Sequence, residues 1–427
     1  MTAWLPVALS VLGGWGISRW HRRLPGAPGA VLGAVLWGVA LLGTSLAVLD
    51  LAGIPWTPAA LAFPALVAAA TGFLARPTAT PSDRREWAWG AAAAAAVAAR
   101  AVAVATVPAF GWDFRYSWGL KAKVFALAGG HDFAWLVRPP DWLAHPDYPP
   151  LWPDLIASGV VFGGDPARAA AAWQALFVIG IAAACWECAA PAPAPVRALA
   201  AAVGGWIPVI LTPSVAYSGY AEPLIAFGIS AGVVALLGAV SGQRGAWIAA
   251  AAAGAILAAT KNEGVALAAA LTLAAWRTAP RRAALAIALA TLGSVGGWRV
   301  AAALHGVAGY ASVLSPAWVA GRFLHLPGAF WTVVTPIHAA LVLAWAAALA
   351  ALGGRDARPV RIIVGVWAGA LLAAYVTSPL PLDHMLRFSL DRELAVALPI
   401  AVAAGLRRVR FPGRASALPA PGTAAIG

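Results

Sequence analysis

The sequence predicts an all-α membrane protein, a polytopic transmembrane helical bundle of about 13 spans, with a range of about 11 to 13. Of its 427 residues, 62% are hydrophobic and only 11% are charged, and the mean hydropathy is +0.80. These values lie far outside the range of soluble globular domains. The apolar residues form runs of roughly 15 to 24 residues, which as helices cross, or nearly cross, a hydrocarbon core of roughly 30 Å.

Each predicted span is an apolar run that ends where arginine, proline, glycine or acidic residues begin. Arginines at 19 to 23 end the first run, a Gly-Ile-Pro turn at 53 to 55 separates the second from the third, and charged residues or prolines bound most later runs. The spans are expected near 3–18, 29–50, 57–75, 87–107, 168–186, 197–213, 223–240, 246–260, 264–276, 283–304, 329–352, 360–377 and 393–406.

The predicted spans divide the chain into three parts. Residues 1–86 form an N-terminal segment of three spans, and residues 87–406 form the remaining transmembrane module. Residues 407–427 form a tail rich in Pro, Ala and Gly, which is expected to be disordered and cytoplasmic. No small-residue cleavage site follows the first run, so no cleavable signal peptide is expected.

Charge is distributed unequally between the two sides of the predicted bundle. With the N-terminus outside, one side holds eighteen arginines and four acids, and the other holds seven arginines, three lysines and twelve acids. Basic residues are retained in the cytoplasm, so we expect a plasma-membrane (cell inner membrane) protein with a cytoplasmic C-terminus. The net charge of +13 is then an orientation signal. We expect contacts with membrane lipids and no nucleic-acid partner.

The longest outer connection, residues 108–167, is rich in ionisable residues and tryptophan. A connection of this length in a protein with otherwise short loops is usually functional. Residues 116–127 and 150–162 are predicted to form interfacial helices along the membrane surface. The candidate site residues of this loop are Asp113, Arg115, Lys121, Lys123, His145, Asp147 and Tyr148.

Later outer segments add further candidates. An ionisable residue close to membrane depth is costly, so Lys261 and Glu263, which interrupt an apolar stretch, indicate a functional site. A mutually satisfied surface pair at a helical hairpin is the alternative interpretation. The lysines are notable because Lys121, Lys123 and Lys261 are the only three among 29 basic residues. The remaining candidates are Glu222, Asn262, His384, Arg387 and Arg392.

The order of these segments resembles a known enzyme class. The outer loop opens with G-W-D-F-x-Y-x-W-x-x-K-A-K and closes with H-P-D-Y-P-P-L, and it is followed by G-Y-A-E-P, T-K-N-E-G and a late H-x-x-R. This order is similar to that of the bacterial integral-membrane GT-C glycosyltransferases, which include protein O-mannosyltransferases and lipid A aminoarabinose transferases (glycosyltransferase family 39-like). Residues 1–86 lie outside the resemblance. Tyr148 departs from it, because the best-known members carry Lys or His after the acidic residue.

The resemblance implies transfer of a sugar from a polyprenyl-phosphate donor to a lipid, glycan or protein acceptor at the outer membrane face. Asp113 corresponds to the base that takes the acceptor's proton, and Glu222 to a second acidic position that places the acceptor or a metal. The leaving phosphate needs cations, which suits Lys121, Lys123, Lys261, Arg387 and Arg392. A divalent metal ion is a candidate cofactor, with Asp147 favoured over His145 as its ligand.

Two rival functions remain open at this level. A polytopic transporter or flippase places polar or broken-helix features near the midplane and often has repeated halves, whereas here polar residues crowd one face. A polymerase or ligase of lipid-linked glycans also works on polyprenyl-linked substrates at the outer face. Such an enzyme is expected to carry an arginine-rich outer loop late in the chain, whereas this chain has an acidic, Trp-rich loop early.

Overall fold

The computed structural model of the protein describes residues 2–21, 26–75, 84–138, 145–210, 219–243, 245–309, 314–354 and 357–409, and it is all-helical, with no strand among them. The predicted tail lies outside the described residues from position 410 onward. In chain order the helices are α1 (Leu5–His21), α2 (Gly26–Leu51), α3 (Pro58–Leu74), α4 (Arg84–Thr106), α5 (Gly119–Ala128), α6 (Phe133–Val137), α7 (Leu151–Val161), α8 (Pro166–Cys188), α9 (Ala194–Ile210), α10 (Glu222–Val240), α11 (Ala246–Thr260), α12 (Asn262–Thr278), α13 (Arg281–Leu304), α14 (Pro316–Val333), α15 (Pro336–Ala351), α16 (Arg358–Thr377) and α17 (Leu382–Leu406).

Several helices are long and apolar enough to cross a membrane, as a multi-pass membrane protein requires. Within the described residues there are six, in α2, α4, α8, α10, α13 and α16, or up to seven if the bent pair α14–α15 is one span. Helix α13 presents Leu285, Leu289 and Leu292 outward, each at least 60% exposed. Their spacing places them on one helical face, which suits contact with lipid rather than water.

A helix lies at each predicted span, but two predictions were wrong in detail. The predicted span 329–352 is broken, because α14 and α15 meet at an angle of 117°. Thr335 caps α15 through the backbone N–H of His338, and Pro336 occupies its first turn, where a missing N–H costs nothing. The last predicted span, 393–406, is only the second half of α17, which begins at Leu382.

The core of the bundle is built around α8 and α10, whose most apolar stretches are 94% and 89% buried. Phe177 of α8 stacks on Phe227 of α10 with 5.7 Å between ring centroids. Gly180 makes this approach possible, since a Cβ there would lie 2.6 Å from the Phe227 ring. Helix α2 of the N-terminal segment also packs on α8, so this segment is part of the same core.

The two ends of the bundle differ in chemistry. At one end, guanidinium groups bind main-chain carbonyls, as Arg407 does at Cys188 and Arg361 at Leu352. At the opposite end, Thr2 donates to the Gly163 carbonyl and the Trp56 amide to the Gly129 carbonyl. We call this second end, which carries the connection 107–165, the polar end.

The helices of the long connection are confirmed, but one is placed differently from the prediction. Residues 114–118 form a π-helical turn that continues into α5, and Lys121 of α5 is buried while Lys123 is exposed. Helix α7 is not a surface helix, because residues 151–159 are all buried. The Trp152 indole N–H donates to the Gly219 carbonyl at 2.9 Å. The connection is therefore folded into the bundle.

Candidate functional site

Six ionisable side chains from four parts of the chain converge at the polar end. They come from the start of the π-helical turn, the first turn of α10, the break between α11 and α12, and the middle of α17. We call this set the ion cluster: Asp113, Glu222, Lys261, Glu263, Arg392 and Glu393.

The ammonium group of Lys261 lies at the centre of the ion cluster. Its Nζ is 3.0 Å from Oε1 of Glu222, 3.0 Å from Oε1 of Glu393 and 3.2 Å from Oε1 of Glu263. Lys261 is in extended conformation, with φ −165° and ψ 159°, where it separates α11 from α12. Gly264 allows the chain to turn there, because a Cβ would lie 2.0 Å from the Leu257 carbonyl oxygen.

Arg392 connects the ion cluster to the start of the long connection. It donates to Oδ2 of Asp113 at 2.8 Å and lies 3.6 Å from Oε1 of Glu222. Its guanidinium also lies 4.3 Å from the ring centroid of Tyr220, an arrangement that fixes its plane. The Asp113 side chain is 34% exposed whereas that of Glu222 is 2% exposed, so Asp113 is the carboxylate that an outside ligand meets first.

Negative charge exceeds positive charge in the ion cluster, which has four carboxyl groups and two cations. Glu222, Glu263 and Glu393 each bind Lys261 through Oε1, and each has a buried Oε2 with no hydrogen-bond partner among the described residues. A buried carboxylate oxygen without a partner costs several kcal/mol. The cluster is therefore suited to take up positive charge.

A second group of candidates surrounds Lys121. The Lys121 Nζ donates to the His145 carbonyl at 2.8 Å, and the His145 ring stacks on Tyr148 at 4.7 Å. Complete burial lowers the pKa of Lys121 to about 7, although the charges of Asp147 and Asp154 oppose the shift. Burial, together with the Lys121 charge, lowers the pKa of His145 to about 4, so its imidazole is neutral at pH 7.

Arg299 joins the Lys121 group to the ion cluster. Its guanidinium lies 3.6 Å from Oδ2 of Asp147 and donates to the Asn262 side-chain oxygen at 2.8 Å. Asn262 directly follows Lys261, and the Trp298 indole donates to the Asp147 carbonyl at 3.0 Å. Helix α13 thus positions both groups, an arrangement that no local sequence pattern indicates.

The structure also contains a carboxylate–imidazole triad that was not predicted. Nδ1 of His131 lies 2.8 Å from Oδ2 of Asp50, and Nε2 lies 3.1 Å from Oδ1 of Asp154. Burial disfavours a charge on His131, but Asp154 and Asp50 outweigh it and raise its pKa to about 9. The only sequence signal was an acid, Asp50, at the end of an apolar helix. Nothing local connects it with His131.

Ten of the fourteen predicted site residues thus fall into two sets. The ion cluster contains five of them, Asp113, Glu222, Lys261, Glu263 and Arg392, and Asn262 lies beside it. The group around Lys121 contains the other four, Lys121, His145, Asp147 and Tyr148. Four predicted residues are exposed and take part in none of the ion pairs between described residues, namely Arg115, Lys123, His384 and Arg387. Sequence reasoning missed Glu393 and Tyr220.

The predicted metal ligands His145 and Asp147 have cationic neighbours. Among the described residues, no three His, Cys, Asp or Glu side chains converge as metal ligands. His145 and Asp147 lie beside the cations Lys121 and Arg299, which disfavours a bound divalent ion at this pair. His145 and Asp147 as described do not suit a divalent ion, and the chemistry proposed below does not require one.

The pair formed by Asp113 and Arg392 can accept a proton and bind an anion at the same position. Asp113 supplies a partly exposed carboxylate, and Arg392 holds that carboxylate in position. A neighbouring guanidinium is also a strong partner for phosphate oxygens.

No protein-family model, no curated protein and no solved structure matches this chain.

Proposed function

We propose that the protein is a GT-C-like membrane glycosyltransferase that moves a sugar from a polyprenyl-phosphate donor to an acceptor. The observation that supports this most is the ion pair between Asp113 and Arg392. It joins the G-W-D-F segment to α17, five positions after the late H-x-x-R of the resemblance, and it places a base candidate beside a cation. The proposal includes the 13-span topology, with the N-terminus and the polar end outside the cell.

The proposed reaction is a direct displacement at the anomeric carbon. The acceptor hydroxyl oxygen attacks this carbon, and the bond between the carbon and the phosphate oxygen breaks. The acceptor's proton passes to the Asp113 carboxylate, and polyprenyl phosphate leaves with the bonding electron pair. Asp113 then returns the proton to water, since its side chain is 34% exposed.

The cations have separate roles in this proposal. Arg392 lies next to Asp113 and meets the phosphate on which charge develops. Lys261 is already bound by three carboxylates, so we assign it to holding Glu222 and Glu393 in place and to the phosphate only with Arg392. Exposed Lys123 and Arg387 attract the anionic donor to the membrane surface.

The test is sugar transfer by the purified full-length protein in liposomes, with a panel of radiolabelled polyprenyl-phosphate sugars and hydroxyl acceptors. Asp113→Asn should abolish transfer, because an amide cannot take the acceptor's proton, while membrane abundance stays normal. Asp383→Asn is the matched control, since Asp383 is an exposed aspartate outside the ion cluster. Full transfer by Asp113→Asn would remove Asp113 as the base.

A polytopic transporter is the second candidate, because a broken helix and a buried charge between two other helices favour it. Lys261 lies at the break between α11 and α12, and α14 meets α15 at 117°. Broken helices with buried charges are typical of transporter binding sites. The same liposomes distinguish the two functions, since a flippase moves the lipid donor across the bilayer without forming a new glycosidic bond.

A further inference from the structure

We propose that Glu393 holds a proton at neutral pH, so that the ion cluster contains a neutral carboxyl group beside the Asp113–Arg392 pair. Three buried or partly buried carboxyl groups share the single ammonium of Lys261. Two observations carry the inference independently of the proposed chemistry. They are the unequal stabilisation of these three charges by cations and water, and the 4% exposure of Glu393 with Lys261 as its one ion-pair partner among the described residues.

Of the three carboxyl groups, Glu393 has the least help from cations and water in offsetting the cost of a buried negative charge. Glu222 has a second cation, because Arg392 lies 3.6 Å from its Oε1. The Glu263 side chain is 25% exposed, so water solvates part of its charge. Glu393 is 4% exposed and has Lys261 as its only ion-pair partner among the described residues. Burial disfavours the charged form of this carboxyl group, and a single shared cation does not offset that cost. The group therefore keeps its proton.

The other groups around Glu393 do not change this balance. Glu222 and Glu263 bring negative charge from α10 and α12. Tyr148 and Tyr375 are neutral at pH 7, since burial raises the pKa of Tyr148 and a buried phenol ionises only well above pH 7. The Trp367 indole of α16 donates to the main-chain carbonyl of Glu393 at 3.4 Å and not to its carboxyl group.

A neutral Glu393 has a consequence for substrate binding, and this step rests on the proposed function. The donor is an anion, and the ion cluster already has more carboxyl groups than cations. Loss of the Glu393 proton adds one negative charge near the phosphate. We therefore expect donor binding to weaken as the pH rises, so Glu393 is a positioning and specificity residue for the anionic donor.

Infrared spectroscopy of the full-length protein tests the protonation directly. Near neutral pH the wild type should show a protonated-carboxyl band that shifts in deuterium oxide, and Glu393→Gln should lose this band. Because the amide replaces a neutral group, Glu393→Gln should keep the wild-type unfolding temperature. Glu222→Gln should lower it, because Arg392 and Lys261 both lose a carboxylate. A wild-type spectrum without an exchangeable protonated-carboxyl band would overturn the proposal even if no variant folds.

Kinetics then tests the substrate consequence. The KM of the wild type for the polyprenyl-phosphate donor should rise roughly threefold or more between neutral and alkaline pH, the effect of one added charge at about 7 Å in water. The KM of Glu393→Gln should rise less over the same range, because its residue 393 has no proton to lose while other groups such as Lys121 still titrate. A KM that rises equally in both proteins would contradict the role of Glu393. If the infrared band is present but no sugar is transferred, the protonation stands and the proposed function fails.

Discussion

The carboxylate of Asp113 and the guanidinium of Arg392 form a hydrogen bond of 2.8 Å between residues 279 positions apart in the chain. Arg392 also lies 3.6 Å from Glu222, so one guanidinium binds a partly exposed carboxylate and lies close to a buried one. Removal of one partner from a buried ion pair costs about 3 to 5 kcal/mol, because the other charge stays behind without compensation. The position of Asp113 therefore depends on the positive charge of Arg392, and loss of either side chain leaves the other charge without its partner.

Arg392→Met should reduce sugar transfer on the order of 100-fold, because Asp113 loses its anchor and the leaving phosphate loses its nearest cation. Arg387→Met is the matched control on the same helix, since Arg387 is exposed and outside the ion cluster. Initial rates in liposomes measure both, with abundance checked by immunoblot. Equal rates for the two variants would argue against a special role for Arg392.

Lys121→Met should lower the free energy of unfolding by about 1 to 3 kcal/mol, because the His145 carbonyl loses its donor and Asp147 loses a neighbouring cation. The loss stays below that of a full buried ion pair, since burial lowers the pKa of Lys121 to about 7 and so makes its positive charge easier to lose. Lys123→Met, two residues away on the exposed face, should change stability by less than about 0.5 kcal/mol. Denaturant unfolding in detergent measures both, and equal losses would contradict the burial of Lys121.

The triad of Asp50, His131 and Asp154 should make stability depend on pH. The pKa of His131 is raised from 6.5 to about 9 by its two carboxylates against the effect of burial. Its contribution is therefore complete below pH 6.5 and is lost as the pH rises through about 9. The wild-type unfolding temperature should fall across this window, whereas that of His131→Asn should start lower and change less. Parallel curves for the two proteins would exclude the triad as the cause.

Gly219→Ala should destabilise the protein by about 2 to 4 kcal/mol. Gly219 has φ +80°, and a Cβ there would lie 2.5 Å from the Phe114 ring, so backbone strain and a steric clash add. Gly242→Ala separates the two effects, because Gly242 has φ +78° with nothing within 4 Å of its Cβ position. It should cost only about 1 to 2 kcal/mol. Thermal unfolding measures both, and equal losses would mean that Phe114 moves aside freely.

Reporter fusions test the proposed orientation. Fusions at Lys123, Ala279 and Ala415 should report outside, inside and inside, because arginine-rich connections stay in the cytoplasm. Lys123 belongs to α5 at the polar end, and Ala279 follows α12 at the opposite end of the bundle. A cytoplasmic signal at Lys123 would place the ion cluster inside the cell and exclude a donor at the outer face.

The helices were predictable because each apolar run has a clear end in the sequence. Predicted 57–75 and observed Pro58–Leu74 differ by one residue at each end, and Thr57 caps α3 as its sequence position suggests. The break before Pro336 also had a local signal, since Thr335 and Pro336 form an N-terminal capping pattern. The apolar run continued across it, and that stronger pattern gave the wrong prediction.

The candidate site was predictable only in part. Costly charges in apolar surroundings singled out Lys261 and Glu263, and the family resemblance pointed to Glu222. The structure brings these three together. The same reasoning did not select Glu393, because it follows Arg392 at a predicted span end, where an acid is ordinary. The burial of α7 was also not predictable, since apolar residues on every face suit lipid and protein interior equally.

The sequence by itself determined that the chain is helical and apolar enough for a membrane, and that its polar residues gather in a few segments, because these properties depend on composition and on near neighbours. The tertiary structure alone decided which charges share a partner. Lys261 binds Glu222 and Glu393 across separations of 39 and 132 residues, and Asp50 meets His131 across 81. Such pairs form because the packing of α8 and α10 sets the positions of their helices, and no short-range pattern encodes those distances.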